Sequence, residues 1–145
     1  MDHDETELRE RLRRAAEQIQ AQHRRLAPLA AELGRAIASR LPRDAQTAAF
    51  RFEGAVRAHF LLEQEIVFPA IRGCFLLPQP EIDRFADDHR RIDAALRKLI
   101  ERVLECELEL ADRCLEACWL AIRDHERREE ALLGGLDSAG RARTL

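Results

Sequence analysis

The stretch HFLLE (residues 59–63) recurs as HERRE (residues 125–129), 66 residues further along the chain. A lone histidine precedes each copy by 36 residues, His23 before the first and His89 before the second. The chain therefore contains the same helix pair written twice. On a helix, residues i and i+4 are neighbours on one face, so each copy presents an imidazole and a carboxylate side by side. The repeat predicts that four imidazoles and two carboxylates converge inside one helical bundle.

The composition favours a single, largely helical domain. The chain has 145 residues, which we interpret as one domain spanning residues 1–145, long enough to bury a substantial core. Only 6 residues are glycine and none is tyrosine, while alanine, leucine, glutamate and arginine are abundant. The net charge is -3 with both signs interspersed, which indicates neither a basic surface for nucleic acid nor a single-sign block for a membrane.

Sequence features of a membrane or secreted protein are lacking. No apolar run approaches the roughly 20 residues that span a bilayer, and residues 1–5 (MDHDE) lack the basic start of a signal peptide. We expect a cytoplasmic protein, either a monomer or a homodimer, whose partner is a small molecule and neither nucleic acid nor a membrane. The 4 cysteines are interpreted as reduced thiols that mostly pack in the interior: Cys74, Cys106, Cys114 and Cys118.

Apolar residues spaced by threes and fours predict four helices in an up-down-up-down antiparallel bundle. Pro28 predicts a kink or a break in the first helix, because proline removes a backbone donor. Asp44 is the predicted N-cap of the second helix, and the pair at 134–135 (Gly-Gly) predicts the end of the fourth. The predicted helices cover approximately residues 4–40, 44–72, 81–105 and 109–133, with a frayed tail at 137–145.

A turn near residues 105–110 is predicted from geometry alone, since no glycine or proline marks it. One helix from 81 to 133 would separate His89 from His125 by about 54 Å. With the turn, the four histidines lie at about the same level of an antiparallel bundle.

Two glutamates in the core-facing seams, Glu63 and Glu129, favour a metal centre. A single core histidine is explained by an ordinary hydrogen bond, but an uncompensated buried carboxylate costs about 3 to 5 kcal/mol, against a domain stability of about 5 to 15 kcal/mol. The predicted seams contain neither lysine nor arginine to offset these charges. We therefore predict six metal ligands: His23, His59, Glu63, His89, His125 and Glu129.

The ligand types favour a centre of two metal ions. Imidazole and carboxylate ligands without thiolate suit iron, manganese or zinc, and six ligands exceed the four that a tetrahedral zinc uses. Two carboxylates that bridge two ions, each capped by two imidazoles, use every ligand. Ferritin-like bundles use Glu-x-x-His pairs, which are not arranged here in the required way.

The stretch HFLLEQEIVFP (residues 59–69), with Phe-Pro after His-x-x-x-Glu, and HERREE (residues 125–130) resemble the hemerythrin-like (HHE cation-binding) family. The resemblance extends over roughly residues 23–133. It implies a four-helix bundle with a non-haem di-iron centre and a bridging oxo or hydroxo group. It also implies that the four histidines are terminal ligands, whereas Glu63 and Glu129 bridge the two irons.

One position departs from the oxygen-carrying members, which have His-x-x-x-His on the third helix. Here the second position of that motif is Asp93. We interpret Asp93 either as an extra ligand or hydrogen-bond partner of a ligating imidazole, or as an ordinary solvated aspartate. The resemblance is thus to members with four histidines and two glutamates, and simple oxygen carriage is not expected.

Family roles include dioxygen binding, sensing of oxygen or iron, and protection or iron repair under oxidative and nitrosative stress. We predict a soluble di-iron protein that reacts with dioxygen, nitric oxide or peroxide, as a sensor or in stress protection. Three alternatives stay open: a reversible oxygen-binding hemerythrin, a di-iron peroxidase or reductase, and an interaction module with a purely structural metal. The sequence does not decide whether the protein is an enzyme.

Overall fold

The computed structural model describes residues 3–73 and 77–142, with side chains described for 3–73 and 77–134. A π-helical turn joins the second helix to the third, so these two form one long helical segment. The helices are α1 (His3–Ala38), α2 (Pro42–Leu62), α3 (Phe68–Gly73), α4 (Gln79–Leu104) and α5 (Leu108–Ala142), and the π turn covers Glu63–Val67.

The predicted all-α antiparallel four-helix bundle is confirmed. α1 packs against α2 and α5, and α4 packs against α5 and α2. No strand is present in the described ranges. Among the helices described, none combines the length and the apolar character needed to cross a membrane.

Two hydrophobic clusters fill the bundle, one towards each end. The cluster near the α1–α2 and α4–α5 turns includes Leu33, Phe52 and Leu99, and the cluster at the other end includes Ile19 and Ile71. Full burial of an aliphatic or aromatic side chain of this size stabilises the fold by about 1.5 to 3 kcal/mol. The four buried histidines lie between the two clusters, so the apolar layers above and below hold the polar layer in place.

The turn expected near residues 105–110 is present, and it has the same backbone hydrogen-bond pattern as the α1–α2 turn. Arg40 and Cys106, 66 residues apart, both have positive φ, at 54° and 58°. The amide of the following residue donates to a carbonyl five residues back in each case, Leu41 to Ala36 at 3.2 Å and Glu107 to Arg102 at 2.9 Å. This hydrogen bond is the Schellman pattern, which usually places glycine at the positive-φ position.

The predicted N-cap of the second helix is wrong, and of the kink or break predicted at Pro28 the break is absent. The N-cap of α2 is Leu41 and not Asp44, because Pro42 occupies the first turn, where its fixed φ suits a helix start. α1 continues through Pro28 without a break. Pro28 and Arg24 are both exposed, so solvent can satisfy the carbonyl that loses its donor.

The spacing of threes and fours through His59 and Glu63 predicts Ile66 as the next core residue of the second helix, and this prediction is wrong. Ile66 is 43% exposed, whereas Val67 is only 2% exposed. The reason is the π turn, in which the Phe68 amide donates to the Glu63 carbonyl, five residues back. A π turn holds one residue more than an α turn and so moves the core-facing position along by one.

The predicted end of the fourth helix is also wrong. α5 runs through the glycine pair at 134–135 and ends at Ala142. Residues 137–142 of the predicted frayed tail are therefore helical. Residues 143–145 lie outside the described ranges. Glycine weakens a helix without forbidding it, and no described glycine has the positive φ of a C-cap. α4 begins at Gln79, two residues earlier than predicted, because Pro78 is its N-cap and Pro80 fits its first turn.

Candidate metal centre

Each long helical segment supplies one imidazole to the middle of the bundle. His23 comes from α1, His59 from α2, His89 from α4 and His125 from α5. Glu63 is the first residue of the π turn, and Glu129 lies one turn after His125 on α5. The structure brings all six sequence-predicted ligands together, and all six are buried.

Both carboxylates reach from one histidine pair to the other. Glu63 places Oε1 2.5 Å from His59 Nε2 and Oε2 2.5 Å from His89 Nε2. Glu129 places Oε1 3.1 Å from His23 Nε2 and Oε2 3.1 Å from His125 Nε2. Two overlapping groups result, each with ligand atoms within 4.8 Å of one another: His23, His59, Glu63 and Glu129 in one, and Glu63, His89 and His125 in the other.

The geometry around the Glu129 carboxylate suits the binding of cations better than hydrogen bonding to the imidazoles. Within the described residues, both Glu129 oxygens are buried without a hydrogen-bond partner, although imidazole nitrogens lie only 3.1 Å away. Short distances without hydrogen-bond geometry mean that these atoms face a shared point rather than each other. The Nε2 atoms of His23 and His59 also approach to 3.3 Å, and those of His89 and His125 to 3.2 Å. Imidazole and carboxylate atoms that converge in this way suit a transition-metal ion at each pair.

In the protein without metal, protons supply the positive charge that the carboxylates require. Burial alone would lower the pKa of His125, but the adjacent carboxylates of Glu129 and Glu63 raise it to about 10. Burial would raise the pKa of Glu63, yet its contacts with Glu129 and with three imidazoles hold that pKa well below its usual value. A metal ion bound here would therefore compete with the proton of His125.

The outer nitrogen, Nδ1, of every site histidine has its own polar neighbour. Nδ1 of His59 lies 2.8 Å from Gln22 Oε1, and Nδ1 of His125 lies 3.2 Å from Asp88 Oδ2. Nδ1 of His23 lies 3.1 Å from Glu130 Oε1, and Nδ1 of His89 lies 3.4 Å from the Gln64 amide nitrogen. With Nδ1 engaged, Nε2 of each ring is directed to the centre.

These four neighbours occupy equivalent positions in the two halves of the 66-residue repeat. The sequence analysis did not use the repeat to predict them. Gln22 and Asp88 each precede a site histidine, and Gln64 and Glu130 each follow a site glutamate. Asp88 is also held by two arginines, accepting hydrogen bonds from Arg91 Nη2 at 2.8 Å and from Arg128 Nη2 at 2.6 Å. The sign available in the sequence was position, since each of the four lies next to a predicted ligand at equivalent places in the two halves of the repeat.

The structure places Asp93 away from the six-residue cluster. Its carboxylate lies 2.8 Å from Arg57 Nη1 and 3.1 Å from Arg97 Nε, and its side chain is 29% exposed. Among the described contacts of Asp93, none is with a site histidine. Of the two interpretations of Asp93, the ordinary helix aspartate describes this arrangement.

Comparison with known protein families gives a match over most of the chain. The family model for the hemerythrin HHE cation binding domain matches residues 2–136. No significant match is found among curated proteins or among solved structures. The match covers nearly the whole chain, and the buried histidine and glutamate cluster agrees with its cation-binding description. The chain belongs to the hemerythrin HHE cation-binding domain family.

Proposed function

We propose that the protein binds two iron ions and reacts with a small oxidant, either as a sensor or in protection against oxidative and nitrosative stress. The observation that supports this proposal is the position of the two carboxylates. Glu63 directs one oxygen to His59 and the other to His89. Glu129 directs one oxygen to His23 and the other to His125. A carboxylate with one oxygen near each histidine pair is better placed to bind two ions than one.

In this proposal, the four imidazoles are terminal ligands and the two glutamates bridge. When bound, a ferrous pair would supply electrons to dioxygen, nitric oxide or peroxide. The glutamates offset the positive charge of the ions, and the Nδ1 contacts fix the orientation of each ring. Apolar neighbours limit which molecules reach the centre, since Phe60 stacks on His89 with ring centroids 3.9 Å apart and Phe85 lies 5.7 Å from His125.

Reversible oxygen carriage is less well supported than oxidation. The carriers have a fifth histidine where this chain has Asp93, and here the Asp93 carboxylate is engaged with Arg57 and Arg97. No fifth imidazole therefore distinguishes one ion from the other. A cytoplasmic location, the oligomeric state and the identity of the oxidant remain predictions from the sequence.

The test is to load the protein anaerobically with ferrous iron and to expose it separately to dioxygen, nitric oxide and peroxide. We expect a lasting change in the absorption spectrum with at least one of them, which inert gas does not reverse. A stable oxygenated band that disappears on sparging and returns over repeated cycles would instead identify an oxygen carrier. A protein that binds one zinc and is silent towards all three oxidants would have a structural metal.

A further inference from the structure

The two halves of the repeat differ at several positions beside the metal ligands, and one of these differences changes an aromatic ring into a carboxylate. Phe60 follows His59, whereas its counterpart 66 residues later, after His125, is Glu126. Phe60 stacks on His89 at a centroid distance of 3.9 Å and an interplanar angle of 11°. Because an aromatic ring on one side corresponds to a carboxylate on the other, the centre has an apolar side and a polar side.

The apolar side surrounds His89 and His125. Besides Phe60, Phe68 lies 5.7 Å from His89, and Phe85 lies 5.7 Å from His125. Phe68 and Phe85 also contact each other at 6.0 Å. These three phenylalanine rings offer no polar group to replace the water of a hydrated cation that crossed between them.

The polar side opens at His23. A pocket of about 450 Å³, which we call the His23 pocket, is lined by Gln20, His23, Arg24, Glu126 and Glu130. Within the described residues, Glu126 Oε1 is buried and lacks a hydrogen-bond partner. Glu126, Glu130 and His23 line this pocket with groups that can replace the water of an entering cation, which the aromatic side chains cannot do.

The two carboxylates that contact the outer nitrogens of His23 and His125 differ in the same sense. The Asp88 side chain, which contacts His125, is 5% exposed and is held by Arg91 and Arg128. The Glu130 side chain, which contacts His23, is 54% exposed. The His125 ring is therefore fixed by a buried carboxylate that two arginines hold in place. The His23 ring is fixed by a carboxylate that is exposed to solvent.

We propose that the His23 pocket is the port through which a hydrated divalent cation enters and leaves, so that the two metal positions exchange at different rates. The position held by His23 and His59 exchanges readily. The position held by His89 and His125 keeps its ion until the first position is empty. This inference rests on the proposed two-ion centre.

The experiment measures release of ferrous iron from the anaerobically loaded protein to an excess of a chromogenic ferrous chelator. We expect two phases of equal amplitude. Glu130→Gln should speed the first phase about 10- to 100-fold, and Asp88→Asn should speed the second phase by a similar factor, because each weakens the hold on one imidazole. Both changes replace a carboxylate by an amide of the same shape, so each variant is the control for the other.

Loading through the pocket is tested with Glu126→Leu and its matched control Glu116→Leu, an exposed glutamate on the same helix. Glu126→Leu should slow loading about tenfold because the pocket loses a carboxylate that can replace the water of an entering cation, and the control should load like the wild type. Circular dichroism of the metal-free variants checks that they fold. The two release phases of the wild type decide the inference even where a variant does not fold.

Three results would overturn the inference: both ions leaving the wild type in a single phase, Glu130→Gln and Asp88→Asn acting on the same phase, or Glu126→Leu loading as fast as the control. Two ions that leave in a single phase contradict this inference alone. One ion per chain before the chelator is added contradicts the proposed two-iron function as well.

Discussion

At the scale of single residues, Glu63 and Glu129 determine what the centre can hold. Both are buried in the middle of the bundle, and each spans two histidine pairs. The sequence predicted their burial because each lies one turn after a histidine in a core-facing seam. It did not predict Gln22, Gln64 and Asp88, since a residue beside the seam is directed to a particular imidazole only by the packing of a neighbouring helix.

In the proposed two-iron centre, removing either shared carboxylate should remove metal. Glu63→Ala and Glu129→Ala should each lower the iron content by at least one ion per chain, because both histidine pairs lose a shared ligand. The measurement is elemental analysis after anaerobic loading and gel filtration, with Glu65→Ala, an exposed glutamate near Glu63, as the control. Full loading of both variants would mean that the carboxylates do not bridge.

Asp93→Asn should leave the iron spectrum and the metal content unchanged. Its carboxylate contacts Arg57 and Arg97, and exposed ion pairs of this kind contribute only about 0 to 1 kcal/mol to stability. Absorption spectra of the loaded variant and the wild type, together with their denaturation midpoints, check the expectation. A shifted spectrum would show that Asp93 acts on the centre after all.

Cys118 should be inert to thiol reagents in the folded protein. Burial and the neighbouring Cys114 raise the pKa of Cys118 to about 12, whereas an unfolded cysteine has a pKa of about 8.5. The stability linked to this thiol is thus fully present below about pH 8.5 and is lost as the pH rises towards 12. Peptide mapping after alkylation at pH 8 should find exposed Cys106 labelled and Cys118 labelled only in denaturant. Labelling of native Cys118 at the rate of Cys106 would contradict its burial.

At the scale of helices and turns, the sequence predicted the existence of each long helix but not its irregularities. The spacing of apolar residues predicts a helical face even where a π turn interrupts it, which is why Ile66 was placed in the core instead of Val67. Pro28 and the glycine pair at 134–135 were given too much weight. The bundle contacts on either side of Pro28 continue, with Leu26 and Leu33 both buried, so packing outweighs the lost hydrogen bond.

The α4–α5 turn gives an element-scale prediction. Cys106 has a φ of 58°, a conformation that costs an L residue about 1 to 2 kcal/mol and costs glycine almost nothing. Cys106→Gly should therefore raise the free energy of unfolding by about 1 kcal/mol relative to Cys106→Ala, which keeps a Cβ in the same turn. Urea denaturation of the two variants measures the difference. Equal stabilities would mean that the turn carries no such strain.

At the scale of the whole molecule, the 66-residue repeat relates far more than the ligands. It also relates the two turns, the residues behind the histidines and the positions of Phe60 and Glu126. The sequence alone could identify the repeat, the bundle and the six clustered residues. It could not show that the halves differ in access, because the aromatic wall at His89 and the pocket at His23 each combine side chains from separate helices.

The central claim is that one bundle holds two iron ions between two histidine pairs. The most direct test is the number of iron ions per chain in the wild type, determined by elemental analysis and protein quantification after anaerobic ferrous loading and removal of free metal. We expect close to two ions per chain, because Glu63 and Glu129 each present one oxygen to either side. A value that saturates at one ion per chain, with excess ferrous iron present during loading, would contradict the account.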